Sequence, residues 1–67
     1  MAYEYQFDLF RDDAQGPLWQ RSFIEFEEAK RQAQEMADDQ GYEFFIFDCT
    51  TSSEVARVFP ARRTKRV

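Results

Sequence analysis

Four sets of residues in this 67-residue chain have types and spacing that could do chemistry. Two are adjacent carboxylate pairs, Asp12 with Asp13 and Asp38 with Asp39. The third is the single thiol, Cys49, followed by the hydroxyl run "TTSS", and the fourth is the cation-rich ending "PARRTKRV". Carboxylates can hold a divalent cation, but a calcium loop needs oxygen ligands at alternating positions, which adjacent pairs do not provide. Solvated acids are expected there. A thiol becomes a nucleophile when its pKa is depressed, and no basic residue adjoins Cys49, which reads as a small core or strand-end residue. "DDAQGP" has one glycine and no lysine, so it is no phosphate cradle, and the hydroxyl run reads as a loop. The chain has no histidine, which removes the commonest general base, the Cys/His and Ser/His nucleophile pairs, and imidazole ligation of metals. No catalytic, metal-binding or cofactor-binding residue is assigned, and a non-enzymatic protein is expected.

The cations are distributed unevenly. Residues 1–59 hold all thirteen acids and only five bases, whereas residues 60–67 hold four bases, Arg62, Arg63, Lys65 and Arg66, and no acid. An acidic body with a basic ending can mark an interaction arm. The expected organisation is a single domain over 1–60 followed by a basic, disordered tail over 61–67. A single cysteine cannot form an internal bridge, no apolar run approaches the roughly 20 residues of a membrane span, and "MAYEYQFDLF" lacks the basic start and apolar block of a secretory signal. A reducing cytoplasm is the expected compartment.

The elements that must position these groups follow from periodicity. "YEYQFDLF" alternates with period two and predicts a strand with Tyr3, Tyr5, Phe7 and Leu9 on one face and Glu4, Gln6, Asp8 and Phe10 on the other. "RDDAQGP" gathers turn formers and predicts a hairpin loop of about five residues. In "LWQRSFIEF" a strand to about Phe23 would put Trp19, Arg21 and Phe23 on one face, while Ser22 with Glu25 also spells a capping box that could start a helix at Phe23. A helix from about Glu25 is favoured. Phe26, Ala29, Ala33, Met36 and Ala37 form its apolar stripe, Glu27, Lys30, Arg31, Gln34, Glu35 and Asp38 its outer face, and Gly41 its stop. "YEFFIFDC" is apolar on both faces, as an inner strand is, and "EVARVF" predicts a last strand ended by Pro60.

The order is therefore ββαββ, and the economical arrangement is α+β: a four-stranded antiparallel sheet in the order 2-1-3-4 with the helix across one face. A single helix covers one side. The other side would show Phe10, Trp19 and either Phe45 with Phe47 or Phe44 with Ile46, beside Glu4 and Asp8.

The stretch "LWQRSFIEFEEAKRQAQEMADDQGYEFFIFD", with its Trp ahead of the helix, its EEA helix start, its Gly stop and its aromatic strand, resembles small bacterial domains of unknown function built as two strands, a helix and two strands. The resemblance spans residues 3–59. It implies the same ββαββ fold and brings no activity or site residue with it.

Twelve aromatic rings exceed what one helix and a small sheet hide easily, so a partner surface is expected. The reading that fits best is a small interaction module that forms a homodimer or binds a protein partner through Phe10, Trp19, Phe45 and Phe47. The alternative is nucleic-acid binding, with sheet aromatics stacking on bases and Arg62, Arg63, Lys65 and Arg66 neutralising phosphates. The acidic body counts against that alternative. No small-molecule substrate and no membrane are expected as partners.

Overall fold

The computed structural model describes residues 5–61, with β1 (Phe7–Asp13), β2 (Gly16–Phe23), α1 (Phe26–Gln40), β3 (Glu43–Asp48) and β4 (Ser53–Val58). All three strand pairings are antiparallel and the sheet order is β2-β1-β3-β4, with α1 packed across one face. This is the arrangement that the sequence predicts, with β1 and β3 inside. The four cationic residues after Ala61, and Tyr3 and Glu4 at the other end, lie outside the described residues.

The first hairpin is tighter than its composition suggests. Arg11, Asp12 and Asp13 continue β1, so the loop is only Ala14 and Gln15, and the five-residue loop is corrected. The turn is built from its own polar groups: Asp13 Oδ1 accepts the Gln15 N–H at 2.9 Å, and Gly16 adopts a φ of 114° that a side chain would resist. The "turn-forming" acids of β1 are held in the strand by cations, Asp13 by Arg11 at 3.2 Å and Asp12 by Arg57 of β4 at 2.7 Å.

A second correction concerns β2. A bulge between Leu9 and Phe10 of β1 pairs Leu9 with Arg21 but Phe10 with Trp19, leaving Gln20 as the extra residue. Arg21 and Phe23 therefore lie on the helix side, and Trp19 faces the other way. A matching irregularity in β4 pairs Ile46 with Ala56 but Phe47 with Glu54, leaving Val55 as the extra residue.

The helix begins at Phe26. Glu25 stands at its N-cap in extended conformation (φ −113°, ψ 139°) with no side-chain cap bond, and Ser22 belongs to β2, so the capping box does not form. Glu27 and Glu28 suit the positive end of the helix dipole. Gly41 ends the helix in the left-handed region (φ 79°), its N–H donating to the Ala37 carbonyl at 2.8 Å.

The core forms between the small-residue stripe and large sheet side chains. Ala29, Ala33 and Ala37 are fully buried against Leu9, Phe44 and Ile46, with Phe23 and Val58 at the margins and Phe7, Phe26, Met36 and Ala56 packed around them. Alanine's short side chain lets the helix axis approach the sheet, and the rings then fill the space to crystal-like density. Phe7 meets Phe26 edge-on at 5.7 Å. The choice within "YEFFIFDC" is now decided: Phe44 and Ile46 lie under the helix, and Phe45 and Phe47 point away.

Two acids of the last helical turn and the third strand gain structural partners. Asp38, unfavourable beside the helix C-terminus, accepts the Ala61 N–H at 2.7 Å and the Gln34 side-chain N–H at 2.9 Å, while Gln34 also donates to the Phe59 carbonyl at 2.8 Å. Together they fasten residues 59–61 to the helix. Asp48 shares the parity of Phe44 and Ile46 and is only 8% exposed. Its carboxylate accepts the Thr50 hydroxyl at 2.7 Å, the Thr50 N–H at 2.9 Å and the Gln6 carboxamide at 3.3 Å. These bonds, the Thr50 hydroxyl foremost, hold its pKa below the ordinary carboxylate value.

Two outcomes are expected. Replacing Ala33 with Glu places an unpaired carboxylate in the buried helix-to-sheet contact and should cost on the order of 3 kcal/mol, whereas Lys30→Glu on the exposed face should change stability by about 0.5 kcal/mol or less; urea midpoints compare them. For Asp48, a folded pKa below the unfolded one gives stability that is present above the unfolded value and lost as pH falls through the folded value. Wild type should therefore lose stability on acidification below about pH 4 more steeply than Thr50→Ala. Parallel urea-midpoint profiles against pH for the two chains would contradict the assignment.

Candidate interaction face

The helix-free face of the sheet collects side chains from all four strands. Phe10 of β1 pairs across the ladder with Phe45 of β3, and their rings stack at 5.2 Å with an interplanar angle of 13°. Phe47 meets Phe10 edge-on at 6.4 Å. Trp19, opposite Phe10 on the other side, is 56% exposed. All four expected interface residues thus lie on one face, three as a cluster of half-buried rings and Trp19 as an exposed wall beside it.

Charge organises the two ends of this face differently. At the end toward Glu43, Arg57 lies 5.1 Å from the Phe45 ring centre and donates to three carboxylates, Asp12 at 2.7 Å, Glu43 at 3.0 Å and Glu54 at 2.9 Å. The bonds to Glu54, Asp12 and Glu43 raise the guanidinium pKa further above its already high value. An Arg sandwiched between an aromatic strip and three acids is held in one place, and its bonds tie β4 to β1 and β3. Sequence reading placed Arg57 in the last strand but did not connect it to Asp12 and Glu43, because only the cross-strand register brings the three together.

At the opposite end, Asp8 is the centre. Its Oδ1 accepts the Ser22 hydroxyl at 2.6 Å and the Trp19 indole N–H at 3.4 Å, and its Oδ2 accepts the Cys49 thiol at 3.1 Å. Partial burial pushes the Asp8 pKa up, but the bonds from Ser22, Cys49 and Trp19 outweigh it and hold the group below the ordinary value. Asp8 is therefore ionised at neutral pH, with only neutral donors around it. Beside it lies a cleft of about 660 Å³ lined by Tyr5, Gln6, Asp8, Ser22, Cys49 and Thr50. Tyr5 and Trp19 also wall an adjoining shallower depression.

Cys49 is exposed, so the core alternative for it is corrected and the strand-end one stands. The hydrogen bond to Asp8 raises its pKa, helped by partial desolvation, which leaves a neutral thiol at physiological pH. Ser22 and Cys49 were not singled out as partners of Asp8 from the sequence, since the three are separated in the chain and meet only through strand pairing.

Among the described residues, no group of three or more His, Cys, Asp or Glu side chains is arranged to hold a metal ion, and no helix is long and apolar enough to cross a membrane. Asp12 and Asp13 are engaged by Arg57 and Arg11. The fold and face define an α+β sheet domain with one aromatic, acid-rimmed surface. Comparison with protein-family models, with curated proteins and with solved structures finds no match to this chain.

The Asp8–Cys49 bond gives a direct expectation. Asp8→Asn removes the negative charge that opposes the thiolate, so the Cys49 pKa should fall and the rate of its reaction with a disulfide reagent at pH 8 should rise severalfold. An unchanged or slower rate would show that Asp8 does not control the thiol.

Proposed function

We propose that this chain is a non-enzymatic interaction module that associates with a second copy of itself through the helix-free face of the sheet. The observation that carries the reading is the continuous strip of Phe10, Phe45 and Phe47, flanked by the exposed indole of Trp19, on the face that the helix leaves open. Aromatic clusters at the centre of a patch, ringed by polar groups, are where interface energy concentrates. A patch of this kind meets its own copy about a two-fold axis, which is the commonest route to a closed assembly.

The rim supports a protein partner over a nucleic acid. Asp8, Asp12, Glu43 and Glu54 all stand on the same face as the rings, with Arg57 as the cation among them. Four carboxylates repel the phosphates that a base-stacking surface must tolerate. The alternative of nucleic-acid binding through Arg62, Arg63, Lys65 and Arg66 has no support from this face.

Sedimentation velocity at high micromolar concentration should show a dimer. Phe47→Glu, on the open face, should leave a folded chain of lower mass or weaker association, and Ile46→Glu, under the helix, should unfold it. A wild-type chain that stays monomeric throughout that range would refute self-association.

A further inference from the structure

The Asp8 cleft is the part of the open face whose charge the described structure leaves without a cation. Arg57 serves Asp12, Glu43 and Glu54. Arg11 serves Asp13 and lies 4.5 Å from the Tyr42 ring centre, and Arg31 serves Glu28 and Glu35 on the outer helix face. Asp8 is surrounded by a hydroxyl, a thiol and an indole, and no basic side chain among the described residues pairs with it. Two of its three bonds are short, yet the carboxylate keeps acceptor capacity on Oδ2, since a carboxylate offers about four lone-pair positions.

The walls of the cleft suit a particular guest. Tyr5, in the wall of the cleft, is 57% exposed, and Trp19, in the wall of the adjoining depression, is 56% exposed, so aromatic area lies free on the side of the ionised carboxylate. An aromatic surface next to a carboxylate favours an organic cation, which gains attraction to the ring faces and to the charge together. Gln6 and Thr50 line the same cleft with a carboxamide and a hydroxyl.

We propose that the Asp8 cleft receives a lysine or arginine side chain, and that the segment supplying it is Arg62–Arg66 of a second copy of the chain. The proposal rests on the self-association reading above and names what neutralises the acidic rim when two such faces meet. The segment carries four cations and no acid against a body of net charge minus 8. Its point of departure is defined: Ala61 is bonded to Asp38 at the C-terminal end of α1, the end of the sheet where Asp12 pairs with Glu43 and Phe44 with Val58. Asp8 lies at the other end, in register with Ser22 and Phe47. Six residues span about 20 Å when fully extended. To reach its own Asp8 the segment would have to round the β4 edge and cross to β1 while also running most of the length of the sheet, farther than Arg62–Arg66 extend. A two-fold axis perpendicular to the strands sets the departure end of one copy over the Asp8 end of the other, so the segment rounds its own β4 edge but need not run the length of the sheet.

The test uses the full-length chain and the single indole, Trp19, as its reporter. A tail-neutralised variant (Arg62→Gln, Arg63→Gln, Lys65→Gln, Arg66→Gln) should dimerise roughly tenfold more weakly than wild type at low salt, and the difference should shrink as salt rises. Asp8→Asn should weaken association similarly, and combining the two changes should weaken it no further. Asp39→Asn, away from the cleft, should have no effect. A synthetic peptide of residues 61–67 titrated into the tail-neutralised chain should change Trp19 fluorescence saturably, and the response should vanish when that chain also carries Asp8→Asn. A tail-neutralised chain that dimerises as tightly as wild type, or a peptide response that survives Asp8→Asn, would overturn the proposal. Undiminished dimerisation of Phe47→Glu together with a peptide response lost in Asp8→Asn would overturn the sheet-face reading and leave the cleft assignment standing.

Discussion

One helix can cover only one face of a four-stranded sheet, and the rest of this molecule is arranged around that constraint. The covered face is solved by contrast of size. Three alanines bring α1 close, and Leu9, Phe44 and Ile46 fill the narrow gap with almost no exposed area. Such a contact has little tolerance, because neither side can retreat without opening a void. A chain this short buries only about 60% of its unfolded surface, so the fold depends heavily on this single layer.

The uncovered face is stabilised by a different device. Its rings stack on one another, and charged groups fix them at both ends, which converts a loose apolar patch into an ordered one. The two ends are chemically unequal. Around Arg57, three carboxylates share one guanidinium that binds three strands together; around Asp8, the same sign of charge is held by dipoles alone. Dipoles stabilise an anion without cancelling its field, so attraction for a cation persists beyond the site. A surface of this sort has direction as well as composition.

Much of the layout was legible in the sequence because it is written in local patterns. Period two, the alanine stripe and Gly41 each act over a few residues, and each is found where the pattern places it. What escaped depended on contacts between distant segments. Arg11, Asp12 and Asp13 look like turn residues until Arg57, far along the chain, makes Asp12 a strand residue. Trp19 shares parity with Arg21 until the bulge at Gln20 reverses its side, and nothing in the tripeptide itself marks the extra residue. Phe45 and Phe47 could not be told from Phe44 and Ile46 by hydropathy, since both pairs are apolar; the side taken by the helix decides it. The Asp8 cluster was half visible. Asp8 and Phe10 were expected together on the open face, whereas Ser22 and Cys49 join only through register.

The two bulges have a consequence for how the sheet ends. β2 and β4 are its outer strands, and each carries one unpaired extra residue, Gln20 in one and Val55 in the other, while β2 also begins with Gly16 and Pro17. A strand laid against either margin would find its ladder of donors and acceptors broken midway, and at Pro17 a donor missing altogether. Stacking copies edge to edge into a growing fibril is therefore disfavoured along both borders. A protein with this many exposed rings is spared the commonest route by which such rings lead to insoluble polymer.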